Sequence, residues 1–347
     1  MSDHLTEKAN RPVVVPTAES RFSRIVRPLR HLLARLIWGL VTTGLLLRFT
    51  VQDQYHPLAI AYYLTPIPTL PLWCFVAGCL WGRPRNDQPS RNRISRMRLS
   101  LIASLVFVCW TLQTEYVVRA TPPRDDESRF VFWNSARVEM GVDRLADRLK
   151  GWEPHVIGLV EANGFYKKTV EKWRNALPDY QIAPTHFGGL VAIKGTIHRQ
   201  VNHKLTPSSW CDQFDVTIGT DDFTLLLVDI SANINLSRRQ PLLDLANLTK
   251  SLDDRPVIIM GDFNTPDDSV LLDPLREICQ QAFRQRGYGY AATWPMPLPV
   301  LTLDQVWTNR HVEVSRCEHH WSIYSDHRPV TSRISFPKET PAAAPAK

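Results

Sequence analysis

Several chemistries are missing from this sequence. No GxSxG stretch marks a serine nucleophile, and no GxxxxGK[ST] loop offers a backbone cradle for nucleotide phosphates; "HFGGLVAIK" does not match that pattern. None of the six cysteines sits in a CxxC pair. Cys74, Cys79 and Cys109 fall in apolar runs, which leaves Cys211, Cys279 and Cys317, an odd number without the spacing of a disulfide framework or a zinc site. One pair among the three is open, and the sequence does not select it. There is no internal repeat of fixed period, although two pseudo-symmetric halves stay open. A cleavable leader is not expected, because the first apolar run begins too far into the chain.

Long apolar runs are also absent after residue 120, whereas before it there are three. These are "LIWGLVTTGLLLRFTV" (36–51), the uncharged "PLAIAYYLTPIPTLPLWCFVAGCLW" (57–81) and "LSLIASLVFVCWTLQTEYVV" (99–118). A bilayer core takes about 20 apolar residues in helical form, so three transmembrane segments are expected between residues 32 and 118. Soluble helices present a polar face, and these runs do not. The four prolines of the second run predict kinks or a re-entrant path.

The charge pattern predicts an orientation. Arg21, Arg24, Arg27, Arg30 and Arg35 precede the first run, and Arg83, Arg85, Arg91, Arg93, Arg96 and Arg98 separate the second from the third. The loop "QDQYH" between the first two carries neither Lys nor Arg. Basic flanks mark the cytoplasmic side, so residues 1–31 read as a cytoplasmic basic tail and everything after 118 as outside the cytoplasm. Residues 1–120 hold 15 Lys and Arg against 6 Asp and Glu, leaving 26 against 28 for the rest of the chain. The basic balance is thus a topology signal. A binder of long nucleic acid concentrates positive charge on its binding domain, and the part after 120 has no such excess.

Beyond a polar linker (119–128), short apolar strands such as "RFVFWN", "HVIGLVE", "FTLLLVDI" and "PVIIM" alternate with helical stretches such as "VDRLADRLKGW", "TVEKWRNAL", "SRRQPLLDLANLTKSL" and "SVLLDPLREICQQA". That alternation predicts an α/β (α+β) domain, sheets covered by helices, over 129–337. The tail 338–347 reads as disordered.

The strands end on polar residues. "FVFWN" ends on Asn134, "VIGLVE" on Glu161 and "VIIMGDFN" on Asp262 and Asn264; Asp304 opens "DQVW", and "SDHRPV" carries Asp326 and His327. Each one alone is an ordinary turn or cap residue. Together, at the ends of strands in a layered fold, they converge on one rim. Oxygen donors without sulfur suit a hard cation, Mg²⁺ or Mn²⁺, and a metal beside a histidine and an amide suits cleavage of phosphate esters.

In these motifs the chain from about 129 to 336 resembles the endonuclease/exonuclease/phosphatase superfamily, which includes DNase I, abasic-site endonucleases, neutral sphingomyelinases and inositol-phosphate 5-phosphatases. "GDFN" followed some sixty residues later by "SDHRP" is the most specific pair. The resemblance implies a four-layer sandwich, two central sheets flanked by helices. It also implies roles: Glu161, Asn134 and Asp326 as metal ligands, Asp262 orienting or activating the attacking water, Asn264 on a phosphate oxygen, His327 on the scissile phosphate, and Asp304 orienting His327. Two positions depart from the family's pattern. Asp229 stands near a place where many relatives have His, which favours a structural role over that of a further metal ligand, and Gln305 follows Asp304 where many have His.

The remaining conspicuous residues read as structural. His186, His198, His203, His319 and His320 lack ligand spacing, and "YGYAATWP" (288–295) reads as loop packing with some substrate contact. Arg238 or Arg239 is a candidate contact for an anionic substrate. The resulting expectation is a membrane-anchored, metal-dependent phosphoesterase of a bacterial inner membrane, its partners the bilayer and a phosphoester: a lipid headgroup, a small phosphodiester or nucleic acid. A nuclease acting outside the cytoplasm and a catalytically silent tethered sensor are the alternatives.

Overall fold

The computed structural model describes residues 21–82, 91–122, 124 and 126–337. Residues 1–20 of the expected basic tail, 83–90 of the expected cytoplasmic loop and the expected disordered tail 338–347 lie outside them.

Four helices come first: α1 (Arg21–Phe49), α2 (His56–Tyr63), α3 (Leu70–Gly82) and α4 (Arg91–Glu115). Among the described residues two are long and apolar enough to cross a membrane, over Ile25–Phe49 and Ile94–Glu115. A third span is counted if His56–Tyr63 and Ile67–Trp81, bent by 42° at the break between them, are taken as one. The prolines explain the break. Pro57 sits in the first turn of α2 and Pro66 precedes the next helical turn, where a missing N–H does no harm. Gly44 of α1 lies where a Cβ would collide with Thr65, so a glycine lets the bent segment approach. The third apolar run stops being helical earlier than its hydropathy suggests. Tyr116–Val118 is a strand, β1, because it pairs with β11 (Tyr288–Tyr290) of the following domain. The expected linker is likewise tied down, with Arg119 N–H donating to Gly287 O and Thr121 N–H to Ser315 O.

Beyond residue 128 the chain builds two six-stranded sheets, with strands numbered along the chain. One runs β13 (Glu313–His319), β14 (Val330–Ser335), β2 (Ser128–Asn134), β3 (Val156–Val160), β5 (Leu190–Ile193), β4 (Gln181–Pro184). The other runs β10 (Cys279–Gln281), β12 (Asp304–Asn309), β9 (Val257–Asp262), β8 (Asp221–Asp229), β7 (Ser209–Ile218), β6 (Thr196–Thr206). Alternation along each strand sets the layers. Phe130, Phe132, Ile258 and Met260 meet between the sheets. Val131 and Trp133 face the other way, toward Leu145 of α5 (Val142–Lys150) and Trp173 of α6 (Lys167–Ala176). Val257 and Ile259 pack on Leu242 and Leu245 of α7 (Arg239–Ser251). This is the expected four-layer DNase I-like arrangement of helix, sheet, sheet and helix. Gly158 is needed at its centre, since a Cβ there would run into Met260 and Leu227 of the facing sheet.

One local expectation fails and one strand was not foreseen. The helix expected over 269–282 is reduced to α8 (Asp273–Arg276), because Cys279–Gln281 instead pairs with β12; α9 (Ala282–Arg286) follows. Edge strand β6 went unread because its apolar residues Ile197, Val201 and Leu205 do not alternate.

Candidate active site

Strand register assembles one row of acids. In the second sheet Asp229 pairs with Asp262 across the parallel β8–β9 ladder, and Asp304 pairs with Asp262 across the antiparallel β12–β9 ladder. Adjacent strands lie about 4.8 Å apart, so three carboxyls stand side by side at one rim. In the first sheet Asn134 pairs with Val160 at the end of the parallel β2–β3 ladder, and Glu161 follows at once. The loop between β13 and β14 brings Asp326 and His327 to the same place.

Hydrogen bonds knit the row together. Asn134 Nδ2 donates to Glu161 Oε1 at 3.2 Å and to Asp262 Oδ2 at 2.9 Å, joining the two sheets. His327 Nδ1 lies 2.8 and 3.1 Å from the two oxygens of Asp304, so Nδ1 carries the proton and donates. Its Nε2 stands 3.8 Å from Asp262 Oδ2, too far for a direct bond, which leaves Nε2–H free for a third partner. Asn264 N–H donates to Asp262 Oδ1, and Asn264 Nδ2 uses one hydrogen on Ile230 O, keeping the other.

Burial and neighbouring charge set the protonation states. Burial by itself would strip the proton from His327, but the Asp304 carboxylate and the hydrogen bond to it, with Asp262 and Asp326, lift its pKa to about 10. The ring is an imidazolium at neutral pH. Burial raises Asp262 to about 6, with the His327 cation and the bonds from Asn134 and Asn264 opposing it. Asp229 is pushed well above the carboxylate range, first by burial and then by the charges of Asp262 and Glu161.

A divalent ion suits the donors the rim presents. Asp262, Asp304 and His327 each bring one atom within 4.8 Å of the others, but both Asp304 oxygens are engaged with His327. Glu161 and Asp326 instead border a cleft of about 680 Å³, together with His327. The Glu161 side chain is 38% exposed and Asp326 is exposed, so both reach solvent. Both offer hard oxygens without sulfur, which suits Mg²⁺ or Mn²⁺, and the Asn134 amide oxygen, which accepts from Ala136 N–H, keeps a second lone pair.

The backbone is strained here. Ala136, Arg137, Val138, Glu161, Asn163 and Asn264 all take positive φ on rim loops, a costly conformation for side chains other than glycine and one that clusters at functional sites.

The sequence reading missed several supporting residues. Ser325 donates from Oγ to Asn134 O and accepts from His327 N–H, and Thr293 Oγ1 accepts from the N–H groups of Leu303 and Asp304. Arg137 Nε stands 3.4 Å from Glu161 Oε2. Ser325 opens the "SDHRPV" motif and Thr293 lies in "YGYAATWP", but nothing in either stretch marks these supporting bonds, and Arg137 stands in no motif. Trp294, in the stretch read as loop packing, donates from Nε1 to Asp326 Oδ2 at 3.2 Å, and its ring lies 6.4 Å from His327. Arg238 and Arg239 are not at the cleft. Arg238 is buried over the Tyr63 ring and Arg239 donates to Gln54 O, both toward the first four helices. Cys211, Cys279 and Cys317 are buried and free.

The model of the Endonuclease/Exonuclease/phosphatase family matches residues 131–327. Among curated proteins none matches in sequence. Solved structures that resemble the chain include a mannosyl-6-phosphatase of Bacteroides thetaiotaomicron, with 14% identity, 60% of this chain and 100% of that one covered, and a TM-score of 0.52. The human Nocturnin catalytic domain with bound sulfate gives 16%, 62%, 96% and 0.51. D. rerio TDP2 complexed with single strand DNA product gives 14%, 61%, 100% and 0.52. At these identities the likeness establishes the fold.

Proposed function

The chain belongs to the endonuclease/exonuclease/phosphatase family, and we propose that it is a membrane-anchored, divalent-metal-dependent phosphoester hydrolase whose catalytic domain lies outside the cytoplasm. One observation carries the reading. A buried imidazolium, His327, is anchored by Asp304 and stands 3.8 Å from Asp262, at the edge of a cleft that also exposes Glu161 and Asp326.

The geometry supports the roles that the family resemblance implies. Glu161, Asn134 and Asp326 would hold Mg²⁺ or Mn²⁺, which supplies Lewis-acid polarisation of a phosphoryl oxygen when bound. Asp262, kept in place by Asn134 and Asn264, orients the attacking water and accepts its proton. His327 offers Nε2–H to the negative charge that builds on the phosphoryl oxygens, and Asp304 fixes its tautomer and orientation. The second amide hydrogen of Asn264 is the remaining donor for a phosphate oxygen.

Anchoring is supported by surface. Leu29, Leu36, Leu99, Ile102, Leu105 and Leu112 of α1 and α4 are exposed, an apolar face that water does not tolerate over such an area. The basic residues at the start of α1 and α4 favour those ends on the cytoplasmic side.

The test is hydrolysis by the full chain in detergent, with Mg²⁺ or Mn²⁺, against single- and double-stranded DNA, RNA, phospholipids, sphingomyelin and a soluble diester. Turnover is expected to stop with a chelator and to fall about 10²- to 10⁴-fold in Asp262→Asn. Metal-independent turnover, or a folded Asp262→Asn variant at full rate, would sink the proposal.

A further inference from the structure

The rim that carries the site is also the face of the domain that meets the first four helices. Three of its loops rest on them. In the loop leaving Asp262, Ser269 Oγ and Val270 N–H donate to the buried Asp53 at 2.5 and 3.2 Å, and Asp268 pairs with Arg48 at the end of α1. Asp267 of the same loop accepts from Arg284, which also stands 3.6 Å from Glu115 at the end of α4. In the loop leaving Asp229, Ile234 O lies 3.0 Å from His56 Nε2. The segment entering Asp304 lines a crevice through Val300, Leu301 and Thr302, shared with Arg48, Tyr62 and Pro66. The sheet bearing Asp229, Asp262 and Asp304 therefore stands rim-down on the outer ends of the apolar helices.

The rim of the other sheet stands beside that footing. Loops of both rims carry exposed apolar residues near the cleft residues. Phe165 and Tyr166 follow Glu161; Trp321 and Ile323 precede Asp326; Leu298 follows the cleft residues Met296 and Pro297. Ile323 is 82% and Leu298 78% exposed. Single exposed apolar residues are ordinary. Here they come from three separate loops that also carry the cleft residues Glu161, Asp326 and Met296, and the segment with Leu298 runs on into residues 300–302 against the helices. Lys167 and Lys168, both exposed, come directly after Phe165 and Tyr166, the aromatic-and-cationic sequence that suits a headgroup layer.

We propose that this rim lies against the bilayer in which α1 and α4 are embedded, and that the cleft takes a lipid-linked phosphoester whose headgroup phosphate rises to Glu161 and His327 from the membrane. The occupant of the apolar rim is the lipid surface, because the rim is continuous with the attachment to the helices. The substrate half rests on the phosphoesterase reading above; the membrane-facing half does not.

The experiment uses the full chain in lipid nanodiscs. Trp321 emission is taken as the difference between the chain and Trp321→Phe, in discs of ordinary and of brominated phosphatidylcholine. The brominated lipid is expected to quench it at least twofold. In parallel, Leu298→Asp combined with Tyr166→Asp is expected to slow hydrolysis of disc phospholipid and sphingomyelin at least tenfold, while bis(4-nitrophenyl) phosphate is cleaved within twofold of the original rate. Equal emission in both discs overturns the membrane-facing rim. Cleavage of the soluble diester or of nucleic acid without any lipid hydrolysis overturns the lipid substrate and leaves the phosphoesterase standing. Quenching with no hydrolysis of any phosphoester upholds the rim and overturns the phosphoesterase.

Discussion

His327 keeps its proton at neutral pH because Asp304, wholly buried, gives it both carboxylate oxygens. An amide at 304 has one oxygen and no charge, so the ring loses both its anchor and the field that holds its proton. Asp304→Asn is expected to lower kcat about 10²- to 10⁴-fold, with little change in the metal concentration needed for half-maximal rate. A kcat within threefold of the original in a folded protein would remove Asp304 from this role. At this scale the sequence was informative. Asn134, Glu161, Asp262, Asn264, Asp304, Asp326 and His327 were named from strand ends and motifs, and the fold brings them to one rim. Ser325 and Thr293 stood inside stretches that were read, "SDHRPV" and "YGYAATWP", but their roles were not legible, and Arg137 lay in no motif, because what each supports is set by the fold.

Strand β13 ends in His319, His320 follows it, and the fold keeps both neutral. Burial, followed by the charge of Arg328, holds His319 well below its ordinary value; its ring stacks on Phe283 at 4.0 Å. Burial likewise brings His320 from 6.5 to about 4, against the pull of Glu318. These two histidines therefore take up protons in the unfolded chain as pH falls from 6.5 toward 4 but not in the native one, and their contribution to stability is lost across that window, against the opposing uptake by native Asp262 and Asp229. The denaturant midpoint of His320→Gln, followed by tryptophan fluorescence in the full chain, is expected to rise relative to that of the original protein as pH falls between those values. Parallel slopes in the two proteins would rule out His320 as a source. Elements with a clean period, such as β2, β9 and α7, were legible, whereas β6 and the segment 269–282 were not. There, pairing with a neighbouring strand outweighed the local pattern.

At the scale of the whole molecule, the basic residues that open α1 and α4 set the ends of those helices opposite to the ones that hold the domain. A periplasmic-active reporter, fused after Val118 in a truncated chain, is expected to be active, and a cytoplasmic one silent. The reverse pattern would invert the proposed orientation. What the sequence by itself determined is what short-range chemistry dictates: apolar runs long enough to cross a bilayer, alternation that layers two sheets, and acids that end strands. Tertiary structure alone decided how those ends meet. The register of β8, β9 and β12 is a long-range pairing, and it sets Asp229, Asp262 and Asp304 in one row. The hydrogen bonds from Asn134 cross from one sheet to the other. The contacts of Asp53 and Arg48 with the loop after Asp262 join residues far apart in the chain. No window of sequence holds both partners of such contacts, so the sequence pattern could name the catalytic rim but not which way it faces.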